Sequence, residues 1–422
     1  MEKRKRLRRS YCNMSDYPLR EGNSFFIRSL WNRLLMIGQY PSKTIIRCIL
    51  ILFLGLQFCS HKERSQENKV FHVSKTTWKN FRGDSNLRGR SNDILPDSLI
   101  LLWSSYIGGE CVGGPIIDEE NVYIGSTDGF LIAFQKKNGT EKWKYKTEGS
   151  IEASPLVVDD RVFIGDKDGT MYALDRHTGE ALWTFSTDGS IVSGANCSGA
   201  NRSLVIFGSH NDTLYACKYT DGSILWKYAS DSYINGTPAI DGERVVFGGC
   251  DGFVHLLSAE DGAPLGKINV GAYVAGSVVL DGKNVWTGLY NGKVICIDLD
   301  SMHISWFFQP QNRSDPFYAT PALSDRLLLA PSYDGFIYAV SRRDGTFQWK
   351  FATNNKINSS PIVAGDRIVI GSDDGRVYIL ENSDGTLVDS YDVGGAVSSP
   401  AVGGGLVAVG NINGRIHVFR AY

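Results

Sequence analysis

The chain of 422 residues contains eight cysteines but lacks any Cys-x-x-Cys or adjacent Cys-Cys pair. Zinc sites and disulfide frameworks both depend on cysteines at regular spacings, so neither is predicted. The cysteines beyond residue 100 occupy unrelated positions of the repeat described below: Cys111, Cys197, Cys217, Cys250 and Cys296. Cys217 and Cys296 lie in apolar runs and are interpreted as buried free thiols that pack as small hydrophobic side chains.

The chain also has almost no net charge, −1 at pH 7. This value hides an asymmetry, because residues 1–47 hold eleven Lys and Arg against three Asp and Glu, which leaves the remaining chain mildly acidic. A mildly acidic body offers no basic stripe for a phosphate backbone, so no nucleic-acid partner is predicted.

No apolar run is long enough to cross a bilayer comfortably. The run that ends at Cys59 spans about eleven residues and follows Lys43 and Arg47, which is typical of a signal-peptide core. A cysteine directly behind such a core resembles the lipobox of bacterial lipoproteins, and Cys59 is therefore the lipidation candidate. Phe58 departs from that pattern, which has a small residue before the cysteine.

The amino-terminal end predicts export of the body that follows it. Met36 precedes a signal peptide of ordinary length, so translation is predicted to begin there. In the alternative interpretation residues 1–58 are a cytoplasmic tail and a signal-anchor helix. We assign residues 1–59 to the leader and residues 60–98 to a polar tether and lead-in, and residues 99–422 to one repeat domain.

A unit of about forty residues recurs from residue 108 onward, and its second copy reads "ASPLVVDDRVFIGDKDGTMYALDRHTGEALWTF". Its hairpin turn returns eight times at spacings of 39 to 43 residues, at Asp128-Gly129, Asp168-Gly169, Asn211-Asp212, Asp251-Gly252, Asn291-Gly292, Asp334-Gly335, Asp374-Gly375 and Asn413-Gly414. Alternating apolar residues around Asn-Gly and Asp-Gly turns are typical of antiparallel hairpins. No stretch of the repeat has a helical period, so each copy is predicted to be a four-stranded meander.

Eight such meanders predict an all-β, eight-bladed β-propeller of four-stranded antiparallel blades, because one meander cannot bury both of its faces. The last copy ends after its third strand. The missing strand stands at the other end of the domain as "DSLILLWSSY", so this amino-terminal strand is predicted to complete the last blade and close the ring.

Six tryptophans share one position in the fourth strand of the repeat: Trp103, Trp143, Trp183, Trp226, Trp306 and Trp349. A large ring with one polar N–H at each blade junction is first of all a packing device, so these residues are interpreted as blade-docking residues. Gly266 and Asp389 replace the tryptophan in copies four and seven.

The pattern Ala-x-Asp-x-x-Thr-Gly-x-x-x-Trp, complete over 173–183, resembles the tryptophan-docking motif of the pyrroloquinoline quinone (PQQ) repeat family. The resemblance covers roughly residues 75 to 422, including "WKNFRGDSNLRGRSNDILPDSLILLW", which is similar to the lead-in of many bacterial PQQ-like propellers. The family contains quinoprotein dehydrogenases as well as scaffolds without a cofactor.

Membership of the dehydrogenase branch would imply a calcium ion, a catalytic aspartate and often a vicinal disulfide, and this chain has no Cys-Cys pair. Each copy has one residue that stands three positions before its first proline or the equivalent of that proline. These residues are Val112, Glu152, Val192, Asn235, Ala275, Tyr318, Asn358 and Val397. These positions predict a ring at one channel mouth, where Glu152, Asn235 and Asn358 are the polar candidates. No aspartate joins them, so we expect no catalytic residues, no metal and no cofactor, with PQQ and calcium as the alternative.

Within the PQQ-repeat family the chain therefore resembles the lipoproteins of the outer-membrane β-barrel assembly machinery (the BamB-like type). That resemblance implies a non-catalytic, monomeric propeller in the periplasm or at the outer membrane, held by a lipid anchor or signal anchor, with protein partners in the envelope. The alternatives are a periplasmic quinoprotein or small-molecule binder, and a sensor or capture domain of a surface lipoprotein.

The longest insertion between copies, "QPQNRSDPF", is the expected partner loop, because binding surfaces on rigid scaffolds are usually carried by loops. Its candidate contact residues are Asn312, Phe317 and Tyr318.

Overall fold

The structure is a computed structural model that describes residues 76–95, 97–198 and 203–420, all within one compact unit, Val73–Tyr422. The predicted leader, with Met36 and Cys59, lies outside the described residues. The described residues form strands and turns and include no helix, hence none that is long and apolar enough to span a membrane.

The predicted eight-bladed propeller is confirmed, since the strands form eight antiparallel four-stranded sheets with an added strand on one of them. Blades one to four consist of β3 (Ile116–Ile117), β4 (Asn121–Gly125), β5 (Phe130–Gln135) and β6 (Glu141–Lys146); β7 (Leu156–Val158), β8 (Arg161–Gly165), β9 (Thr170–Asp175) and β10 (Ala181–Ser186); β11 (Asn196–Ser198), β12 (Leu204–Ser209), β13 (Thr213–Lys218) and β14 (Ile224–Ala229); and β15 (Ala239–Ile240), β16 (Arg244–Gly248), β17 (Phe253–Ser258) and β18 (Pro264–Asn269).

The remaining blades repeat the same order from the channel outwards. Blades five to eight consist of β19 (Val279–Asp281), β20 (Asn284–Gly288), β21 (Val294–Asp298) and β22 (His303–Phe308); β23 (Ala322–Leu323), β24 (Leu327–Pro331), β25 (Phe336–Ser341) and β26 (Phe347–Ala352); β27 (Ile362–Ala364), β28 (Arg367–Gly371), β29 (Arg376–Glu381) and β30 (Leu387–Asp392); and β31 (Ala401–Gly403), β32 (Leu406–Gly410), β33 (Arg415–Arg420) and β2 (Ile100–Tyr106).

The ring closes as predicted, because β2 is the outermost strand of blade eight and pairs antiparallel with β33, with Trp103 opposite Val418. Asp389 supports this closure from blade seven. Its Oδ2 accepts a hydrogen bond from the backbone N–H of Leu99 at 2.8 Å, directly before β2. The aspartate that replaces a tryptophan in copy seven thus holds the strand that joins the chain ends.

Apolar side chains of the middle strands fill the spaces between blades. Phe163 of blade two and Phe207 of blade three, for example, are fully buried in one cluster. Cys217 and Cys296 are free and buried as interpreted from the sequence, and burial raises the pKa of each thiol to about 12. Such thiols stay protonated at neutral pH and pack as apolar groups.

Small hydroxyl side chains connect the innermost strands around the channel. The backbone N–H of Thr237, Ser277 and Thr320 each donates to the hydroxyl at the equivalent position of the next blade, at 2.8, 3.2 and 3.1 Å. The small residue before the inner proline or its equivalent therefore links blades four to seven by inter-blade hydrogen bonds.

The segment that precedes the ring, residues 76–93, closes one end of the channel, and we call it the closing segment. It follows the inner strands in order: Trp78 bridges Ile117 of blade one, and the carbonyl of Lys79 accepts from Val157 of blade two. Further along, carbonyls of the segment accept backbone hydrogen bonds from blades four to seven, with the pairs Ser85 and Ile240, Asn86 and Leu280, Arg88 and Leu323, and Gly89 and Val363. Its last part includes β1 (Arg90–Ser91), which pairs parallel with β27.

Arg82 crosses the channel. Its backbone lies between the contacts to blades two and four, while its guanidinium donates to the carbonyls of Pro321 and Pro361, at 2.8 and 2.5 Å, on blades six and seven. Only 1% of the side chain's surface is exposed, and burial lowers the pKa of the guanidinium to about 9, so it stays charged at neutral pH.

Each of the six shared tryptophans lies against a glycine of the turn between the third and fourth strands in the next blade. The ring of Trp183 packs on Gly222, where an added Cβ would lie 2.6 Å from Cε3. Four of the indoles also donate their N–H to a carbonyl of that turn at 2.9 to 3.1 Å: Trp103, Trp143, Trp183 and Trp226. In copy four, where Gly266 replaces the tryptophan, the side chain of Met302 occupies the space.

We expect replacement of Arg82 by Met to lower the free energy of unfolding by about 3 kcal/mol, because two buried carbonyls lose a charged donor. Urea unfolding of the purified chain measures this loss. The exposed Arg343→Met variant is the control and should change stability by less than about 0.5 kcal/mol. Equal midpoints for both variants would contradict the closing role of Arg82.

Substitution of Gly222 by Ala tests the docking contact separately from backbone strain. Gly222 and Gly282 both have positive φ, 72° and 60°, but an added Cβ meets Trp183 at Gly222 and nothing within 4 Å at Gly282. Both variants should lose about 1 kcal/mol to backbone strain. Gly222→Ala should lower the free energy of unfolding by roughly 1–3 kcal/mol more through overpacking, as measured by urea unfolding. A loss equal to that of Gly282→Ala would show that the indole moves aside without cost and would contradict the prediction.

Candidate functional site

The candidate site is the channel mouth opposite the closing segment, which we call the open mouth. Each inner strand begins near this mouth and ends at the closing segment, so the predicted ring of positions, which includes Glu152, Asn235 and Asn358, lies at the open mouth. These three side chains are half-buried. The channel thus has one open and one closed end, which gives the two faces of the propeller different surfaces.

The polar ring residues are hydrogen-bonded to their neighbours around the mouth. Oε1 of Glu152 accepts from Nζ of Lys167 at 3.0 Å, and Nδ2 of Asn358 donates to Oδ2 of Asp373 at 2.8 Å. In both pairs the partner stands fifteen positions later, in the turn after the second strand of the same blade. Glu152 and Asn358 are thus each held by a partner within their own blade.

Asn235 connects two blades. Its Oδ1 lies 2.6 Å from Nε2 of His210 on blade three, and its Nδ2 lies 3.2 Å from Sγ of Cys250 on blade four. The His210 ring also stacks on Tyr233, with centroids 4.9 Å apart. Burial lowers the pKa of His210, against the opposing effect of Asn235 and Glu152, so the folded protein favours the neutral imidazole.

Tyrosines dominate the mouth on blades four to six. Tyr273 lies beside Tyr290, and Tyr318 beside Tyr333, with ring centroids 6.4 and 5.6 Å apart. Tyr273 and Tyr290 remain 43% and 49% exposed. We call these four residues together with Tyr233 the aromatic mouth surface.

The far side of this surface carries a charged pair. Nζ of Lys356 lies 5.1 Å from the centroid of the Tyr333 ring and 3.7 Å from Oδ2 of Asp373. Burial raises the pKa of Asp373, although Lys356 and Asn358 oppose the shift. Burial, with the nearby Tyr318 and Asp373, likewise raises the pKa of the Tyr333 hydroxyl.

The predicted partner loop has two different parts. Asn312 is exposed and has a positive φ of 57°, and the neighbouring Arg313 extends to Asp334 at 3.5 Å. Phe317, in contrast, is 1% exposed and packs edge-on against Tyr338. Phe317 therefore belongs to the core between blades five and six rather than to a contact surface, whereas Tyr318 belongs to the aromatic mouth surface.

The polar ring residues do not fit a calcium ion. Calcium takes six to eight oxygen ligands, with carboxylates among them. Glu152 is held by Lys167, and the amide oxygen of Asn235 is held by His210. Among the described residues, no three His, Cys, Asp or Glu side chains form a group suited to a metal ion.

Sequence reasoning missed Tyr233, Tyr273, Tyr290 and Tyr333 as members of one surface. The signal was available, because Tyr290 and Tyr333 occupy the same repeat position as Lys167, directly before the hairpin turn. The closing segment had no such signal, since it lies outside the repeat and has no regular period.

Comparison with known proteins identifies relatives of this chain. A family model described as outer membrane protein assembly factor BamB matches residues 96–307 and 250–421. A curated relative, outer membrane protein assembly factor BamB of Bordetella pertussis, is 29% identical over 108 residues. That alignment covers 25% of this chain and 27% of the relative, so the chain spans about a quarter of the relative's length.

Solved structures share the fold. The crystal structure of BamB from Moraxella catarrhalis has a TM-score of 0.67 at 21% identity and covers 76% of this chain and all of that protein. The quinohemoprotein alcohol dehydrogenase of Comamonas testosteroni has a TM-score of 0.68 at 13% identity, covering 82% of this chain and 80% of the enzyme. A related alcohol dehydrogenase of Pseudomonas putida HK5 reaches 0.70 at 12% identity, with the same coverage. At these identities the likeness shows the fold alone.

The half-buried His210 predicts a loss of stability on mild acidification. Folding lowers the pKa of His210, so the unfolded chain binds a proton at a higher pH than the folded protein does. The free energy of unfolding therefore begins to fall as the pH drops below about 6.5, and it continues to fall until the pH reaches the lowered pKa of the folded state. Urea unfolding at pH 7.5, 6.5 and 5.5 should show a smaller decline for His210→Gln than for the unmodified chain. His177→Gln, at an exposed histidine, should leave the decline unchanged. The same pH profile in all three proteins would contradict the prediction.

Proposed function

The chain belongs to the family of outer membrane protein assembly factor BamB, and on that premise we propose that it is an exported, membrane-tethered scaffold for protein partners in the bacterial envelope. Within this proposal it takes part in outer-membrane protein assembly and catalyses no reaction itself. The propeller stands in the periplasm or at the outer membrane, with Cys59 as the lipid attachment point.

The aromatic mouth surface carries the proposal. Tyrosine supplies a large apolar area with a polar tip and is enriched at protein interfaces. Tyr273 and Tyr290 expose this area at the open mouth, while Glu152, Asn235 and Asn358 beside them are engaged by protein neighbours. The mouth thus offers contact area rather than free acid and base groups.

The rigidity of the mouth also favours a scaffold. At each ring position a backbone hydrogen bond connects the loop that enters a blade to the turn after the second strand of that blade. The N–H of Tyr290 donates to the carbonyl of Tyr273 at 3.0 Å, and the N–H of Tyr333 donates to the carbonyl of Pro316 at 3.0 Å. A surface ordered before binding loses less conformational entropy on association.

The test replaces Tyr273 and Tyr290 together by Ser in the native host. We expect co-purification with the β-barrel assembly machinery to fall at least about tenfold, because exposed tyrosines at the centre of an interface carry much of its binding energy. Outer-membrane β-barrel protein levels should fall with it. Leu182→Ser with Leu225→Ser removes exposed apolar area from the outer strands, away from the mouth, and is the matched control.

Two outcomes would contradict the proposal. Normal co-purification and normal β-barrel levels in the tyrosine variant would remove the mouth from the interface. Saturable heat on titration of PQQ with calcium into the chain, lost in Glu152→Ala, would instead support a quinoprotein.

A further inference from the structure

A second site lies on the opposite face, between blades six and seven, in a cleft of about 950 Å³ that we call the arginine cleft. Three separate elements meet there. Arg90 comes from the closing segment, Arg326 and Arg343 come from turns of blade six, and Arg367 with Asn382 comes from blade seven. The cleft is remote from the open mouth, and its role does not depend on the proposed function.

Arginine dominates the charged lining of the cleft. Five arginines line it, Arg90, Arg326, Arg342, Arg343 and Arg367, against three carboxylates, Asp325, Asp366 and Glu381. Two further carboxylates, Asp97 and Asp281, pair with Arg367 and Arg342, so any attraction for anions falls to the arginines that remain outside salt bridges.

Three of the arginines are neutralised by the protein. Arg90 pairs with Asp325 at 2.8 Å, Arg367 pairs with Glu381 at 2.5 Å and with Asp97 at 2.6 Å, and Arg342 pairs with Asp281.

Arg326 and Arg343 have exposed side chains and form no salt bridge with the described residues. The backbone N–H of Arg342 donates to the carbonyl of Arg326 at 2.9 Å, which holds the two turns side by side. Both guanidinium groups thus remain outside salt bridges with the described residues, although the charge of Arg343 acts on the neighbouring Asp344.

The blade junctions on the two sides of blade six lack a hydrogen bond that other junctions have. The indole N–H groups of Trp306 and Trp349, on either side of blade six, are buried without an acceptor. Trp349 directly follows Gln348, which lines the cleft. Oδ1 of Asn382 and Nε of Arg367 are also buried without a partner. An unpaired buried polar atom is unfavourable, and each one in a native structure calls for a physical explanation.

We propose that the arginine cleft binds a phosphate monoester group, with Arg326 and Arg343 as its principal ligands. The guanidinium fork matches phosphate oxygens in a two-bond geometry that a lysine lacks. The hydroxyls of Ser324 and Ser383 line the same cleft and add donors, whereas the hydroxyl of Thr346 donates to Asp344. Its volume lies within the range of small-molecule sites and accommodates an organic group attached to the phosphate. The phosphate is carried either by a soluble molecule or by a lipid headgroup.

The test uses the purified full chain and two kinds of probe. Calorimetric titration with glycerol 3-phosphate and with pyrophosphate measures binding of soluble phosphate. Sedimentation with phosphatidylcholine vesicles that contain phosphatidic acid, compared with vesicles that contain the same share of the phosphodiester phosphatidylglycerol, measures binding of a headgroup.

The variant Arg326→Gln with Arg343→Gln should weaken binding to the responsive probe by at least tenfold. Lys218→Gln with Lys227→Gln, a pair of exposed lysines on blade three, removes the same charge outside the cleft and should leave binding unchanged.

Each outcome has a definite meaning. Binding heat with the soluble phosphates that is lost in the arginine variant assigns a soluble ligand. Stronger binding to phosphatidic acid vesicles than to phosphatidylglycerol vesicles, lost in the same variant, assigns a lipid headgroup. Absence of binding to every probe would overturn the proposal. Equal weakening by the lysine variant would also overturn it, since general charge attraction would then explain the binding.

Discussion

The propeller depends on closure of the ring. Eight wedge-shaped sheets bury their faces only if the last is joined to the first, and this chain achieves the junction by pairing β2 with β33. Because the strand comes from the other end of the sequence, the join ties together residues more than 300 positions apart. Asp389 strengthens it by accepting the N–H of Leu99, and no sheet is left with a missing strand.

The closing segment turns a symmetrical ring into a molecule with two different faces. Its carbonyls accept hydrogen bonds from the inner strands of successive blades, so backbone groups that border the channel find partners. Arg82 then crosses the channel to blades six and seven. One face becomes a closed surface with the arginine cleft, while the other keeps an open mouth with tyrosines, and the two faces suit different kinds of ligand.

The polar residues of the open mouth are engaged by neighbouring side chains. The quinohemoprotein alcohol dehydrogenases share this architecture at 12–13% identity. In this chain Glu152 is paired with Lys167, and Asn235 is held between His210 and Cys250. These ring positions thus make local contacts, and since function resides in sites rather than in folds, the shared architecture alone assigns no activity to this chain.

The sequence by itself determined the number of blades, the four-strand repeat, the closing strand and the positions of the shared tryptophans. These features are local or periodic: turn chemistry, alternation of apolar residues and a forty-residue period all appear within short stretches of chain. The sequence also located the ring at the channel mouth, because equivalent repeat positions must lie on a circle.

Only the tertiary structure decided which side chains meet. Glu152 pairs with a lysine fifteen residues away, and Phe317 packs in the core against Tyr338. The path of the closing segment and the meeting of Arg90 with Arg326 and Arg367 depend on where blades that are distant in sequence come to lie. A repeat pattern defines each blade, but contacts across the channel and between blades follow from the closed ring, which no local stretch encodes.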